Sequence, residues 1–181
     1  GVQAARHAGM TDDVRAMHTQ PAMPSPAVHA QRDWPVGLQV LQRGWLSSNQ
    51  IVFARDDAPA VIDTGYVTHA DDTVHLLSQA LGGRPLARVL NTHLHSDHAG
   101  GNARLKAQHG CAIWIPPGEA EAAATWDEDR LSHRRTSQLC PRFIHDRVLR
   151  PHERVSLGGE DWCVLPAPGH DHAMVMFWCE R

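Results

Sequence analysis

The chain has 181 residues, 42% of them hydrophobic and 20% charged, a balance typical of one globular domain rather than a disordered or fibrous protein. Its 17 lysine and arginine residues stand against 20 acidic ones, for a net charge of −3, and no dense basic run occurs, so we expect no nucleic-acid binding. No apolar run approaches the length of a membrane span, which argues against a membrane protein.

The four cysteines are far apart in the sequence and form no CxxC pair. This spacing favours free thiols in a reducing compartment over a disulfide framework. We therefore expect a cytoplasmic protein. The chain begins with Gly1 rather than methionine and has no hydrophobic signal core, and a removed N-terminal leader stays open.

The first 35 residues differ from the rest. Four prolines in the second half of this segment break any regular element, so residues 1–35 are predicted to form a loosely packed or disordered arm. Residues 36–181 are predicted to form one domain that starts in β structure. Its opening strands are expected at 37–41, 49–54 and 60–63, joined as an antiparallel meander. A helix is predicted at 69–81, where apolar residues recur at helical spacing.

A histidine-rich loop follows the apolar run 87–90. It places His93, His95, Asp97 and His98 within six residues, and imidazole with carboxylate is a ligand set that suits zinc or a similar divalent metal. Residues two apart in extended chain point to the same side, so His93 and His95 can hold one ion together. Asp97 and His98 lie out of phase with them and can face a second ion or a water molecule.

The elements after this loop predict a layered α/β arrangement. A helix is expected from about Asn102, a strand at 111–115 and a helix at 119–129, which places a parallel sheet under helices. Short strands around a turn are predicted at 148–151 and 155–159. A clearer strand at 162–165 runs into a proline turn and His170. His172 is expected to support the site or to be exposed, and His69 and His75 are interpreted as surface residues.

Three motifs together resemble those of a known family. Residues 93–98 resemble the HxHxDH signature of the metallo-β-lactamase-fold hydrolases, residues 61–65 resemble that family's IDTG turn, and residues 167–170 resemble its PGH ligand segment. Order and spacing agree over residues 36–181. The resemblance implies an α+β fold, the αββα sandwich of the metallo-β-lactamase type, and a metal-dependent active site, but it names no substrate.

The resemblance has further implications. Asp63 is expected to support the metal loop through hydrogen bonds, and the segment 130–147 is expected to border the substrate. A family member would continue beyond Arg181 to a bridging aspartate and a last histidine. We therefore expect the chain to hold the first βα half plus the strand entering the second, to expose the face carrying Val175 and Phe177, and to self-associate through this incomplete half.

The predicted activity is hydrolysis of an ester, thioester, lactone, amide or phosphodiester in a small-molecule substrate. The metal ligands are predicted to be His93, His95, Asp97, His98 and His170, with Asp97 also catalytic. One or two zinc ions are expected, with iron or manganese as alternatives, and the first site should hold its ion more tightly than the second. An iron-dependent oxidoreductase of the same fold and a metal-binding but inactive fragment remain alternative hypotheses.

Overall fold

A computed structural model describes residues 34–180. The predicted arm, residues 1–35, lies outside this range apart from its last two residues, so it stays a prediction. Within the described range no helix is both long and apolar enough to cross a membrane. All four cysteines are free, as the sequence predicts.

The first sheet contains six strands that lie side by side in chain order. They are β1 (Leu38–Leu41), β2 (Gln50–Phe53), β3 (Ala60–Ile62), β4 (Arg88–Leu90), β5 (Ala112–Ile115) and β6 (Arg147–Val148). The first three strands pair antiparallel, which confirms the predicted meander. The strands β4, β5 and β6 then add in parallel to β3, which requires a crossover before each of them.

Helices supply these crossovers and cover one face of the sheet. They are α1 (Ala70–Ala80), α2 (Ser96–Ala99), α3 (Asn102–His109), α4 (Ala120–Thr125) and α5 (His133–Thr136). Alternate residues of the strands, such as Val61, Val89 and Ile113, point to this side and form a core with Leu77 of α1 and Leu105 of α3. The helices expected at 69–81 and from Asn102 are therefore confirmed.

The helix α4 is shorter than the predicted span of 119–129. It ends at Trp126, which adopts a left-handed backbone conformation with φ of 59°. The Trp126 ring packs edge-on against Phe143, with ring centroids 5.3 Å apart, and lies 5.8 Å from the ring of His133. Tertiary packing of one large aromatic side chain thus ends a helix that alanine-rich composition alone would continue.

The second sheet contains three antiparallel strands, β7 (Arg154–Leu157), β8 (Glu160–Pro166) and β9 (Val175–Trp178). We expected only one strand of the second half. The strands β6 and β7 flank a turn at residues 151–152, as predicted, but they do not pair with each other, because β6 pairs with β5 and β7 with β8. The chain changes sheets between them, and Leu149 and Val155, on either side of this change, are both buried in the core between the two sheets.

The prediction that Val175 and Phe177 lie on an exposed face is wrong. Val175 is only 3% exposed, and Phe177 packs against the core between the sheets. Side chains alternate along a strand, so Met176 and Trp178 point outward instead, and they are 46% and 53% exposed. Apolar surface is therefore present on this half, but on the opposite face. Self-association through it stays a prediction.

Side chains on the inner and outer faces of the second sheet should differ in how much their replacement by alanine lowers stability. Leu157 is fully buried between the sheets, whereas Leu165 points to the outer side of β8 and is half-buried. Leu157→Ala should lower the free energy of unfolding by about 2–5 kcal/mol, because it leaves a cavity in a packed core. Leu165→Ala should cost less than about 1 kcal/mol. Urea unfolding followed by circular dichroism measures both, and equal losses would contradict this assignment of faces.

Candidate metal centre

Three predicted ligands from two loops come together at one end of the first sheet. His93 and His95 follow β4, and His170 lies in the loop between β8 and β9 of the second sheet. One ring nitrogen of each lies within 4.8 Å of those of the other two. The structure therefore brings the predicted three-histidine set together, although metal binding by it stays a prediction.

The arrangement of the rings fits a divalent ion. His95 Nδ1 lies 3.0 Å from His170 Nε2, so these two atoms face a common point. His93 is 1% exposed, and its Nε2 atom is buried with no hydrogen-bond partner among the described residues. A buried polar atom without a partner is costly. A divalent ion bound by these three imidazoles would remove that cost.

Electrostatics at the site favour the neutral imidazoles that metal binding requires. Burial, with a smaller contribution from His98, lowers the pKa of His93 to about 4. Burial also lowers the pKa of His95, although nearby Asp171 opposes this shift. At neutral pH both rings therefore have free lone pairs.

The predicted pair Asp97 and His98 lies next to this cluster but does not join it. His98 Nε2 lies 3.5 Å from Asp97 Oδ2, so these two groups can face a second ion. Burial disfavours the charged form of His98, but its hydrogen bond to Asp63 and the charges of Asp63 and Asp97 outweigh burial and raise its pKa. Two ligands make a weaker site than three.

Asp63 holds the metal loop in place. It is 4% exposed and takes a left-handed conformation with φ of 58°, which directs its carboxylate toward the loop. One oxygen accepts a hydrogen bond from the Thr92 backbone N–H at 2.9 Å. The other accepts from the Thr92 hydroxyl and from His98 Nδ1, both at 2.8 Å. These contacts confirm the expected supporting role and direct His98 Nε2 away from Asp63.

Buried side-chain amides of asparagine also hold the metal loop in place. The Thr64 hydroxyl donates to Asn102 Oδ1 at 2.8 Å, and Asn102 Nδ2 donates to Asn91 Oδ1 at 2.7 Å. Gly101 lies so close to this loop that a Cβ atom there would be 2.6 Å from the Thr64 carbonyl oxygen. The glycine after the histidine motif is thus required by close backbone approach.

The sequence analysis missed three residues beside the site. Asp171 is buried, and its Oδ2 lies 3.3 Å from His95 Nε2, the ring nitrogen opposite the one that faces His170. Glu119 and His133 are also buried next to the loop. The signal for Asp171 was its position directly after a predicted ligand, whereas the other two lie in elements with no metal-binding pattern.

The structure confirms the remaining histidine assignments for His172 and His75 but not for His69, whose Nδ1 atom is buried. His172 is on the surface, with a side chain 84% exposed, and His75 is exposed and pairs with Gln79 on α1. His69 is half-buried and is not part of the cluster.

Part of the segment 130–147 lies against the metal loop. Ser96, at the start of α2, donates a hydrogen bond to the Gln138 side chain. The backbone N–H of Leu139 donates to the Tyr66 hydroxyl at 3.1 Å, and Leu139 is 70% exposed. That this segment borders a substrate stays a prediction.

Comparison with known proteins identifies the family. A sequence profile of the metallo-beta-lactamase superfamily matches residues 43–181. The chain belongs to the metallo-beta-lactamase superfamily. This confirms the resemblance drawn from the HxHxDH, IDTG and PGH motifs.

Relatives in this superfamily include a hydroxyacylglutathione hydrolase from Methylococcus capsulatus, 33% identical over 149 residues that make up 79% of this chain and 48% of the relative. Another, from Rhodospirillum rubrum, has the same name and is 31% identical over 144 residues, 78% of this chain and 47% of the relative. The chain thus spans about half the length of these two relatives.

Solved structures confirm the metallo-β-lactamase fold. A metallo-β-lactamase from Cronobacter sakazakii aligns with a TM-score of 0.65 at 24% identity, over 80% of this chain and 57% of that one. A second, from Legionella gormanii, gives the same TM-score at 19% identity, over 78% of this chain and 54% of that one. At these identities the similarity concerns the fold alone.

The proposed ligand set predicts which histidines control metal content. His170→Ala should lower zinc affinity at least tenfold, because it leaves two of the three clustered imidazoles. His172→Ala, two positions along the same loop, is the matched control and should leave affinity unchanged. Zinc per chain after dialysis against a weak chelator measures both. Loss of metal from His172→Ala alone would show that the ligands are assigned wrongly.

The raised pKa of Glu119 should make the stability of the metal-free chain depend on pH. Burial, with a smaller effect of Asp171, raises the pKa of Glu119 to about 8, whereas an unfolded glutamate ionises near pH 4.3. Between these values the folded state binds more protons, so the free energy of unfolding should fall as pH rises, by up to about 1.4 kcal/mol per pH unit. Glu119→Gln should flatten this slope in urea unfolding from pH 5 to 8. An unchanged slope in that variant would assign the effect to another group.

Proposed function

We propose that this chain is part of a zinc-dependent hydrolase that cleaves thioesters, with an acyl derivative of glutathione as the substrate class. The observation that carries the proposal is the convergence of His93, His95 and His170 on one point, where the buried Nε2 atom of His93 has no hydrogen-bond partner among the described residues. The names of the relatives support a thioester substrate, since both are hydroxyacylglutathione hydrolases.

The chain's residues take distinct parts in this reaction. A divalent ion bound by the three histidines would lower the pKa of a water molecule to about 7 and polarise the substrate carbonyl. In this proposal Asp97, which is half-buried beside His98, accepts the proton of the attacking water. Water then adds to the carbonyl carbon, the carbon–sulfur bond breaks, and the products are a carboxylic acid and a thiol.

The leaving group favours a thioester over an amide at this site. A cysteine-type thiol has a pKa of about 8.5, so its sulfur can leave as a thiolate with little help from an acid. An amide nitrogen has to be protonated as it leaves, which demands a second positioned group. Thioester cleavage therefore requires only the three-histidine cluster and the proton acceptor Asp97, without a separate acid for the leaving group.

A β-lactam is the second candidate substrate, because the two solved structures described above are metallo-β-lactamases. Their identities of 24% and 19% make this support weaker than that of the sequence relatives. The iron-dependent oxidoreductase and the inactive fragment predict, respectively, iron in the purified protein and no turnover. Cytoplasmic localisation and the lack of nucleic-acid binding stay predictions.

A substrate panel tests the proposal. The zinc-loaded chain should hydrolyse a hydroxyacylglutathione faster than a β-lactam, a lactone or a phosphodiester, with thiol release followed by a chromogenic disulfide reagent. Asp97→Asn should lower kcat/KM for the thioester by about 100-fold or more, because it removes the proton acceptor, and should leave the first zinc bound. The exposed Asp161→Asn is the control.

Two results would contradict the proposal. Preferential cleavage of a β-lactam would replace the thioester with the second candidate. Thioester cleavage that persists at the same rate in His170→Ala would show that the three-histidine cluster is not the reactive site.

A further inference from the structure

Leu94 lies between two proposed ligands, in a loop without regular secondary structure. β4 ends at Leu90 and α2 begins at Ser96, so no strand ladder or helix holds the residues between them. Thr92 is held by Asp63 at its N–H and by the Val175 N–H at its carbonyl oxygen. The next peptide groups therefore need partners of another kind, because buried backbone groups in native structures are paired.

Two buried side chains supply these partners at Leu94. His133 Nε2 lies 2.9 Å from the Leu94 carbonyl oxygen, where it donates a hydrogen bond. The Leu94 N–H donates to the Glu119 carboxyl group. The exposed fractions are 1% for Leu94, 3% for His133 and 4% for Glu119, so water does not compete for these bonds.

Burying Glu119 and His133 costs more free energy than burying apolar side chains in a purely structural role would. Glu119 Oε2 and His133 Nδ1 are buried and have no hydrogen-bond partner among the described residues. An unsatisfied buried polar atom costs about 1–3 kcal/mol. Leucine or phenylalanine would fill the same space without that cost. Among the described residues, the hydrogen bond to Leu94 is thus the interaction that offsets the cost of each polar group.

We propose that Glu119 and His133 are positioning residues that clamp the two peptide groups flanking Leu94 and so fix the relative orientation of His93 and His95. This inference rests on the proposed metal site. The Leu94 N–H belongs to the peptide group shared with His93, and the Leu94 carbonyl oxygen belongs to the peptide group shared with His95. Holding both restrains the two peptide planes, and rotation of either would turn one flanking imidazole relative to the other. The clamp acts through the backbone, without contact with the ion, as other outer supports of metal ligands act through the ligands.

Glu119 variants of the full chain test the clamp by cobalt binding. Glu119→Leu removes the acceptor at similar volume, and Glu119→Gln keeps an acceptor oxygen. Glu119→Leu should weaken Co²⁺ binding by about 10- to 100-fold and alter the visible absorption bands of the bound ion. Glu119→Gln should stay within about threefold of the original chain with unchanged bands. Glu121→Leu, two residues away and exposed, is the matched control and should change neither.

Variants of His133 test the hydrogen bond to the Leu94 carbonyl oxygen in the same way. His133→Leu removes the donor and should weaken Co²⁺ binding like Glu119→Leu, whereas His133→Gln keeps an N–H donor and should restore most of the affinity. If Glu119→Leu does not fold, this pair decides the question alone. Urea unfolding of the metal-free variants separates loss of stability from loss of affinity.

Three outcomes overturn the clamp. Co²⁺ affinity and spectrum unchanged in Glu119→Leu and His133→Leu, with lower metal-free stability, would leave a structural role only. Affinity lost equally in Glu119→Gln and Glu119→Leu would show that an acceptor oxygen at this position is not what holds the Leu94 N–H. A chain that binds no Co²⁺ overturns the metal site and the clamp together. A chain whose Co²⁺ affinity depends on Glu119 and His133 as expected, but that cleaves no thioester, overturns the proposed substrate and leaves the clamp standing.

Discussion

The Asp63 carboxylate is the interaction on which the rest of the site depends. It is buried, and its oxygens accept hydrogen bonds from the Thr92 backbone, the Thr92 hydroxyl and the His98 ring. An unpaired buried carboxylate would be costly, so these three donors and the acid stabilise one another. The end of β3 is thereby tied to the loop after β4, and the histidines that follow Thr92 start from a fixed point.

The topology of the two sheets determines where ligands can meet. The strands β3, β4 and β5 are parallel, so their following loops emerge at one edge, where loops of open α/β sheets commonly bind ligands. The loop with His170 reaches the same edge from the second sheet, because the Val175 N–H donates to the Thr92 carbonyl oxygen at 2.9 Å. The site therefore lies at the junction of two sheets, and both contribute imidazoles to it.

The sequence predicted what local pattern encodes and missed what depends on long-range packing. The meander, α1 and the clustered ligands could be predicted because alternation, helical spacing and the HxHxDH motif lie within short windows. Which face of β9 is buried could not, because one strand has two apolar faces and only the partner sheet decides between them. Glu119 and His133 act on a residue 25 or more positions away, so no local pattern marks them.

His95 and His170 are 75 positions apart in sequence, yet their ring nitrogens lie 3.0 Å from each other. An ion held by both would act as a reversible cross-link that closes this long loop. Cross-links remove conformational entropy from the unfolded chain, and the effect grows slowly with loop length. Bound metal would therefore act on folding as well as on chemistry, and the second sheet would open less often from the first when the ion is present.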